Sequence, residues 1–209
     1  MGTILKSNKA RLLIGVLAAL LCLSGCKKES ADTGAAAPAV GEDVCYADIV
    51  IQDYGTVTVR LDRSAAPKTV DNFVSLAQSG FYDGLTFHRI MEGFMMQGGD
   101  PNGNGTGGSD KTVAGEFAAN GYDNPLSHTR GAISMARSSD PDSASSQFFI
   151  VHQDSTFLDG QYAAFGYVTE GMDVVDAICA DAQPTDDNGT IPPEAQPVIT
   201  SVTISSEGR

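Results

Sequence analysis

One arginine, Arg89, stands in an apolar stretch that reads Phe87-His88-Arg89-Ile90-Met91-Glu92-Gly93-Phe94-Met95-Met96-Gln97-Gly98-Gly99-Asp100. The stretch holds no nucleophile–base pair and no set of metal ligands. A fixed cation beside apolar side chains, with an amide close by at Gln97, suits gripping a neutral, partly apolar group better than breaking a bond. The ordinary reading of such residues is packing: Phe and Met at alternating positions build cores, and an arginine among them closes an ion pair. Other chemistries find less support. His88, His128 and His152 lack metal-ligand spacing; His88 and His128 read as structural and His152 as a surface residue. Ser143, Ser145 and Ser146 have no Gly-x-Ser-x-Gly context. Asp140, Asp142, Asp186 and Asp187 lack the spacing of a calcium loop and read as solvated. The glycine-rich run from Pro101 to Asp110 has no Gly-Lys-Ser/Thr ending, so it reads as close turns and not as a phosphate cradle.

Short strands must position Arg89. Phe87, Arg89 and Met91 alternate with His88 and Ile90, Glu92-Gly93 reads as a turn, and Phe94 to Gln97 as the returning strand. Upstream, Ile49, Ile51, Val57, Val59 and Leu61 alternate around Asp53-Tyr54-Gly55, a hairpin signal. Pro67 opens a helix whose apolar residues Val70, Phe73, Val74 and Ala77 share one face, with Gly80 as its stop. Lys111 to Leu126 reads as an irregular loop. Further strands are expected at Ile133 to Ala136, Gln147 to Val151, Tyr162 to Val168 and Val198 to Ile204. A second helix is expected over Gly171 to Ala180, followed by a loop containing Pro and Asp. About eight strands and two helices without regular βα alternation argue against a parallel sheet. The expectation is a mainly β fold, an antiparallel barrel closed so that no strand edge is exposed.

The first 25 residues read as a signal. Lys6, Lys9 and Arg11 precede a twelve-residue apolar run, Leu12 to Leu23, too short for a typical membrane span. The run ends in Leu23-Ser24-Gly25-Cys26, which resembles a bacterial lipobox and implies a mature chain that starts at a lipid-bearing Cys26. Residues 26–43 read as a flexible tether and 44–206 as the folded domain. Cys45 and Cys179 remain, and two readings stand for them: one disulfide of an exported domain, or two separate buried thiols. The full chain carries a formal charge of −13, and loss of the signal takes three basic residues and no acid, leaving −16. Such acidity excludes nucleic acid as an expected partner and leaves membrane attachment to the lipid.

The arginine stretch resembles the signature of cyclophilins, the cyclosporin-binding class of peptidyl-prolyl cis-trans isomerases. Asn104-Gly105-Thr106-Gly107-Gly108, His128-Thr129-Arg130-Gly131, Ser134-Met135-Ala136 and Ser146-Gln147-Phe148-Phe149-Ile150 agree in the family's order. Leu158-Asp159-Gly160 and Phe165-Gly166 extend the match, which runs from Tyr46 to Ile204. The resemblance implies a closed eight-stranded antiparallel barrel capped by two helices. It also implies Arg89 as the catalytic residue, Phe94, Met95, Phe149 and Leu158 as walls of a proline pocket, Gln97 and Gln147 as polar groups beside it, and Ala136 along the groove. Four positions depart from many eukaryotic members: Phe157 replaces Trp, Tyr162 replaces His, Arg137 replaces Asn and Ser138 replaces Ala. Phe157 loses the indole N–H, Tyr162 keeps an aromatic wall, and Arg137 adds positive charge to the groove.

The implied chemistry is physically coherent. Rotation about an X–Pro bond faces a resonance barrier of about 18–20 kcal/mol. In the twisted state the prolyl nitrogen regains its lone pair, so a guanidinium donor aimed at it binds that state best. No cofactor is called for. The expected partners are proline-containing polypeptides and, through the lipid, a membrane; a monomer is expected. The alternative is a non-catalytic module that holds proline segments as a chaperone or adaptor.

Overall fold

The computed structural model describes residues 43–208. Eight strands form one antiparallel sheet: β1 (Val44–Ile51), β2 (Gly55–Asp62), β3 (Thr86–Met91), β4 (Met95–Asp100), β5 (Ala132–Met135), β6 (Phe148–Val151), β7 (Ala164–Glu170) and β8 (Ile199–Ser205), in the order β3-β4-β6-β5-β7-β2-β1-β8. Two helices accompany it, α1 (Pro67–Gln78) and α2 (Met172–Asp181). The β1–β2 hairpin turns through Asp53, whose φ of 64° is left-handed. Helix α1 begins with Pro67 and has no cap from its own preceding side chain. Instead the buried Glu116 carboxylate accepts hydrogen bonds from the N–H groups of Lys68 (3.1 Å) and Thr69 (2.8 Å) and from the Thr69 hydroxyl (2.7 Å). A negative group there satisfies free donors and complements the helix dipole.

The expected closed barrel is not what forms. The sheet sweeps 236° and stays open, a half-barrel whose end strands are β3 and β8. These meet through the isolated bridge Thr86↔Val198. The rest of the outer edge of β3 is covered by the loop between α2 and β8. Ile90 donates its N–H to the Gly189 carbonyl (2.8 Å), Ile191 donates to His88 (3.0 Å), and Arg89 bridges Thr190. An edge needs its hydrogen-bonding groups covered, and a loop does this as well as closure.

Strand alternation divides the apolar residues between the two faces of the sheet. Met96, Phe148 and Ile150 join the main core, where Phe73 packs on Tyr82, Phe148 and Phe165 at ring separations of 5.1–5.4 Å. Met95, Phe149 and Val151 face the other way and gather a smaller cluster with Phe94, Leu158 and Tyr162. Cys45 and Cys179 are both buried and form no disulfide, so the two-thiol reading holds; the Cys45 sulfur accepts from Arg63 Nη1 (3.5 Å). The expected signal, Cys26 and nearly all of the 26–43 tether lie outside the described residues.

Candidate active site

The site is a row across four strands. Register sets Arg89 of β3 opposite Gln97 of β4, Gln97 opposite Phe149 of β6, and Phe149 opposite Ser134 of β5. Neighbouring strands lie about 4.8 Å apart, so a cation, an amide and an aromatic ring stand side by side on the outer face. A β-bulge at the start of β3 sets the register, and Gly98 permits it: a Cβ there would lie 2.7 Å from the Thr86 carbonyl.

Arg89 is half-buried and held from several sides. Its Nε donates to the backbone carbonyl of Asn188 (2.7 Å) and its Nη1 to Gln97 Oε1 (3.3 Å), with Nη2 3.3 Å from Met91 Sδ. The Gln97 amide donates on to Gln147 Oε1 (2.8 Å), and Gln147 donates to the Gly107 carbonyl (2.7 Å). That relay ends in the glycine-rich run, which folds around the buried Asp100: its carboxylate accepts N–H bonds from Asn102, Asn104 and Gly105. Those bonds outweigh burial and hold the Asp100 carboxyl below its ordinary range. Burial lowers the Arg89 pKa, opposed by Tyr162 and Asp186, yet a guanidinium stays charged at neutral pH.

Beside Arg89 opens a pocket of about 150 Å³ lined by Arg89, Phe94, Met95, Gln97, Ala136, Arg137, Phe149, Leu158 and Tyr162. The structure thus brings together Arg89 and eight of the ten residues expected to bind substrate. Gln147 stands one step behind, on a neighbouring cavity. Phe157 is 65 % exposed and meets Phe94 in a tilted ring contact at 5.6 Å, at the rim and not in the wall.

The three histidines serve architecture. His128 lies buried, 18° from parallel and 6.0 Å from the Phe149 ring, with Nδ1 2.8 Å from Asp159 and Nε2 2.9 Å from Ser134 Oγ. Ser, His and Asp could in principle form a hydrolytic relay, but Ser134 and His128 are fully buried, so this trio supports the pocket floor. Burial lowers the pKa of His128 against the pull of Asp159. His88 is buried, and neither ring nitrogen has a hydrogen-bond partner among the described residues; burial lowers its pKa as well. His152 was expected at the surface but is largely covered. Its Nδ1 accepts the Gly93 N–H (2.8 Å), leaving Nε2 to face Asp176 (3.1 Å), which ties the β3–β4 turn to α2.

Asp186 is a solvated loop acid as expected, and it also organises its loop. It is exposed, yet its carboxylate accepts the N–H groups of Asn188 and Thr190 (3.0 Å each) and the Thr190 hydroxyl (2.9 Å). These bonds, those from Thr190 foremost, hold its pKa low. Its role as organiser of the loop that holds Arg89 escaped the sequence reading. The available signal was Asp186-Asp187-Asn188-Gly189, a turn sequence that locates a bend without its target.

The site can hold a compact apolar ring against Phe149 and Met95 while presenting a guanidinium at the pocket mouth. No cluster suited to a metal occurs among the described residues. The family model for cyclophilin type peptidyl-prolyl cis-trans isomerases matches residues 46–204. Peptidyl-prolyl cis-trans isomerase B of Bacillus subtilis is 46 % identical over 124 residues, 59 % of this chain and 83 % of the relative. An isomerase of Helicobacter pylori is 45 % identical over 126 residues, 59 % of this chain and 75 % of that protein. A cyclophilin type isomerase of Cryptosporidium parvum, crystallised in the presence of the dipeptide Ala-Pro, superposes with a TM-score of 0.68 at 30 % identity, covering 78 % of this chain and 99 % of that one. Fold, pocket and relatives agree, and the chain belongs to the cyclophilin-type peptidyl-prolyl cis-trans isomerases.

Proposed function

We propose that the domain accelerates X–Pro rotation in exported polypeptides, with Arg89 as the residue that favours the twisted amide. The observation that carries this reading is the setting of Arg89: one face held by the Asn188 carbonyl and Gln97, the group itself at the mouth of a pocket of about 150 Å³. The proline ring packs on Phe149, Met95 and Leu158 and stays still while the preceding carbonyl turns. As the amide twists, the prolyl nitrogen becomes pyramidal and accepts a hydrogen bond from the guanidinium. The planar ground state offers no such lone pair, so the interaction lowers the barrier without forming a covalent bond. The apolar walls strengthen the bond by excluding water.

Transport and anchoring belong to the same proposal. The lipobox-like Leu23-Ser24-Gly25-Cys26 supports a thioether between the Cys26 sulfur and a diacylglyceryl group and cleavage before Cys26, with the domain acting outside the cytoplasm as a monomer on a short tether. Palmitate labelling of the full chain, lost in Cys26→Ser, tests the anchor.

The enzymatic claim is tested by isomerisation of a short X–Pro peptide with the domain from about residue 41, beside its Arg89→Ala variant. The expected result is catalysis in the first and a loss on the order of 10²–10³-fold in the second, with unchanged circular dichroism. Peptide binding without turnover by the intact domain would instead establish the adaptor reading.

A further inference from the structure

The described residues contain five arginines, and carboxylates pair with three of them: Arg60 with Asp62, Arg63 with Asp71 and Arg130 with Asp176. The two with no carboxylate partner among the described residues, Arg89 and Arg137, both line the proline pocket. In a domain where acids far outnumber bases, a half-buried guanidinium without a carboxylate is unusual. Arg89 has a role in the chemistry. Arg137 does not touch it.

Arg137 is held rigidly. Its guanidinium lies between the Phe117 and Tyr162 rings, 5.0 and 4.8 Å from their centroids. Its Nε and Nη2 donate to the Gln161 carbonyl (3.0 and 2.9 Å) and its Nη1 to the Ser138 carbonyl (2.8 Å). A guanidinium has five N–H donors, so two remain unspent. The nearby acids are engaged elsewhere: Asp142 accepts from Gly115 and Asn120, and Asp140 accepts the Asp142 N–H.

Arg137 is also a shared wall. With Gln97 and Ala136 it separates the proline pocket from a second cavity of about 380 Å³. Serine, threonine, glycine and glutamine otherwise line that cavity, and Arg137 is the one charged residue among its walls. At the opposite end, past Arg89, a third cavity of about 710 Å³ is bounded by Thr185 and Asn188, which flank the exposed Asp186 and Asp187. Arg137 thus stands on one side of the proline pocket, and the loop that carries Asp186 and Asp187 on the other.

We propose that Arg137 is a specificity residue: the cavity beside the proline pocket takes an acidic side chain of the substrate, so that the enzyme prefers X–Pro segments carrying Asp or Glu on the Arg137 side. This rests on the isomerase reading and adds the substrate class. Thr106, Ser109, Ser138 and Ser143 spend their hydroxyl protons on other acceptors, which leaves Thr112 and Ser145 as hydroxyl donors for a carboxylate among the described residues, and the stacked guanidinium supplies charge with little ordering left to do. Water reaches the site, so the discrimination is that of a partly exposed ion pair, about two- to fivefold.

The test is a set of X–Pro peptides in which Glu, Gln or Lys occupies, one at a time, each of the two positions before and after the proline-containing dipeptide. Both kcat/KM and Kd by titration are measured. At one position the Glu peptide should exceed the Gln peptide by about two- to fivefold, and the Lys peptide should fall below both. The ratio should approach one in Arg137→Gln, and in the unmodified protein at about 0.5 M NaCl. A Glu-to-Gln ratio of one at every position, or a ratio that survives Arg137→Gln, overturns the proposal. If Arg137→Gln fails to fold, the salt series on the unmodified protein decides: a Glu preference that ignores salt overturns it. If peptides bind without turning over, the isomerase reading falls, and the Kd ratios still decide the role of Arg137.

Discussion

The Nε of Arg89 donates a 2.7 Å hydrogen bond to the backbone carbonyl of Asn188, ninety-nine positions along the chain. The loop that covers the open edge of β3 is therefore the same loop that orients the guanidinium. Asp186 folds that loop from within. Replacing it with alanine frees the turn and with it one support of Arg89, leaving the apolar pocket intact. Asp186→Ala should lower kcat by up to about tenfold, with KM nearly unchanged. Steady-state kinetics that show a raised KM and an intact kcat would place Asp186 in substrate binding instead.

Arg89→Lys separates charge from shape. Lysine keeps the cation, but as a point donor on a flexible stem. It cannot reach the Asn188 carbonyl, Gln97 and a prolyl nitrogen together. Loss of that fixed geometry should reduce kcat/KM on the order of 10²-fold. A variant with near-normal turnover would show that charge alone suffices.

Phe149 is buried at the floor of the pocket, against His128 and Tyr162. Phe149→Ala should destabilise the domain by about 3 kcal/mol through the lost packing and the hollow left behind. It should also raise KM, because the proline ring loses its flat support. Urea unfolding checks the first effect and peptide kinetics the second.

Burial lowers the pKa of both His88 and His128, so each is neutral in the folded state. The unfolded chain binds protons at these residues once the pH drops below about 6.5, while the folded chain resists. Stability is therefore fully present above that pH and declines as the pH falls toward the depressed folded values. Urea midpoints at a series of pH values from 7.5 to 5 should decrease, with a shallower slope in His88→Leu. A flat profile would mean that both rings protonate in place.

Cys45 and Cys179 are separate thiols. In the domain from about residue 41 the thermal midpoint should be the same with and without reductant, and its two thiols should titrate with Ellman's reagent in denaturant. Burial, with Asp176 and Glu92 in support, pushes the Cys179 thiol up to about 12, so Cys179 should react slowly in the native state.

Side-chain types singled out Arg89, and the resemblance supplied most of the rest of the site. The Arg89 stretch carries chemical character and alternation placed it on strands, whereas the apolar walls and the glutamine pair were legible only through the resemblance to cyclophilins. Three features escaped. The grips on Arg89 from Asn188, on Gln147 from Gly107 and on Arg137 from Gln161 come from backbone carbonyls, which every residue has. The openness of the sheet depends on how β3 and β8 meet, and strand periodicity describes neighbours, not distant edges. The relation between Cys45 and Cys179 likewise depends on packing between β1 and α2, which the spacing of the two residues does not encode.

The open sheet has a consequence for the timing of motion in this domain. In a closed barrel the amides of an end strand would be released to solvent by rupture of the sheet itself. Here the outward N–H of Ile90 is held by Gly189, and that of Ile191 by His88, across a strand-to-loop seam. Lifting the loop unzips both and withdraws Ile191 from the core, while the pairing of the eight strands stays intact. Deuterium uptake at Ile90 and Ile191 should then follow one clock, faster than that of Met96 or Ile150, and the same event should release Arg89 from Asn188.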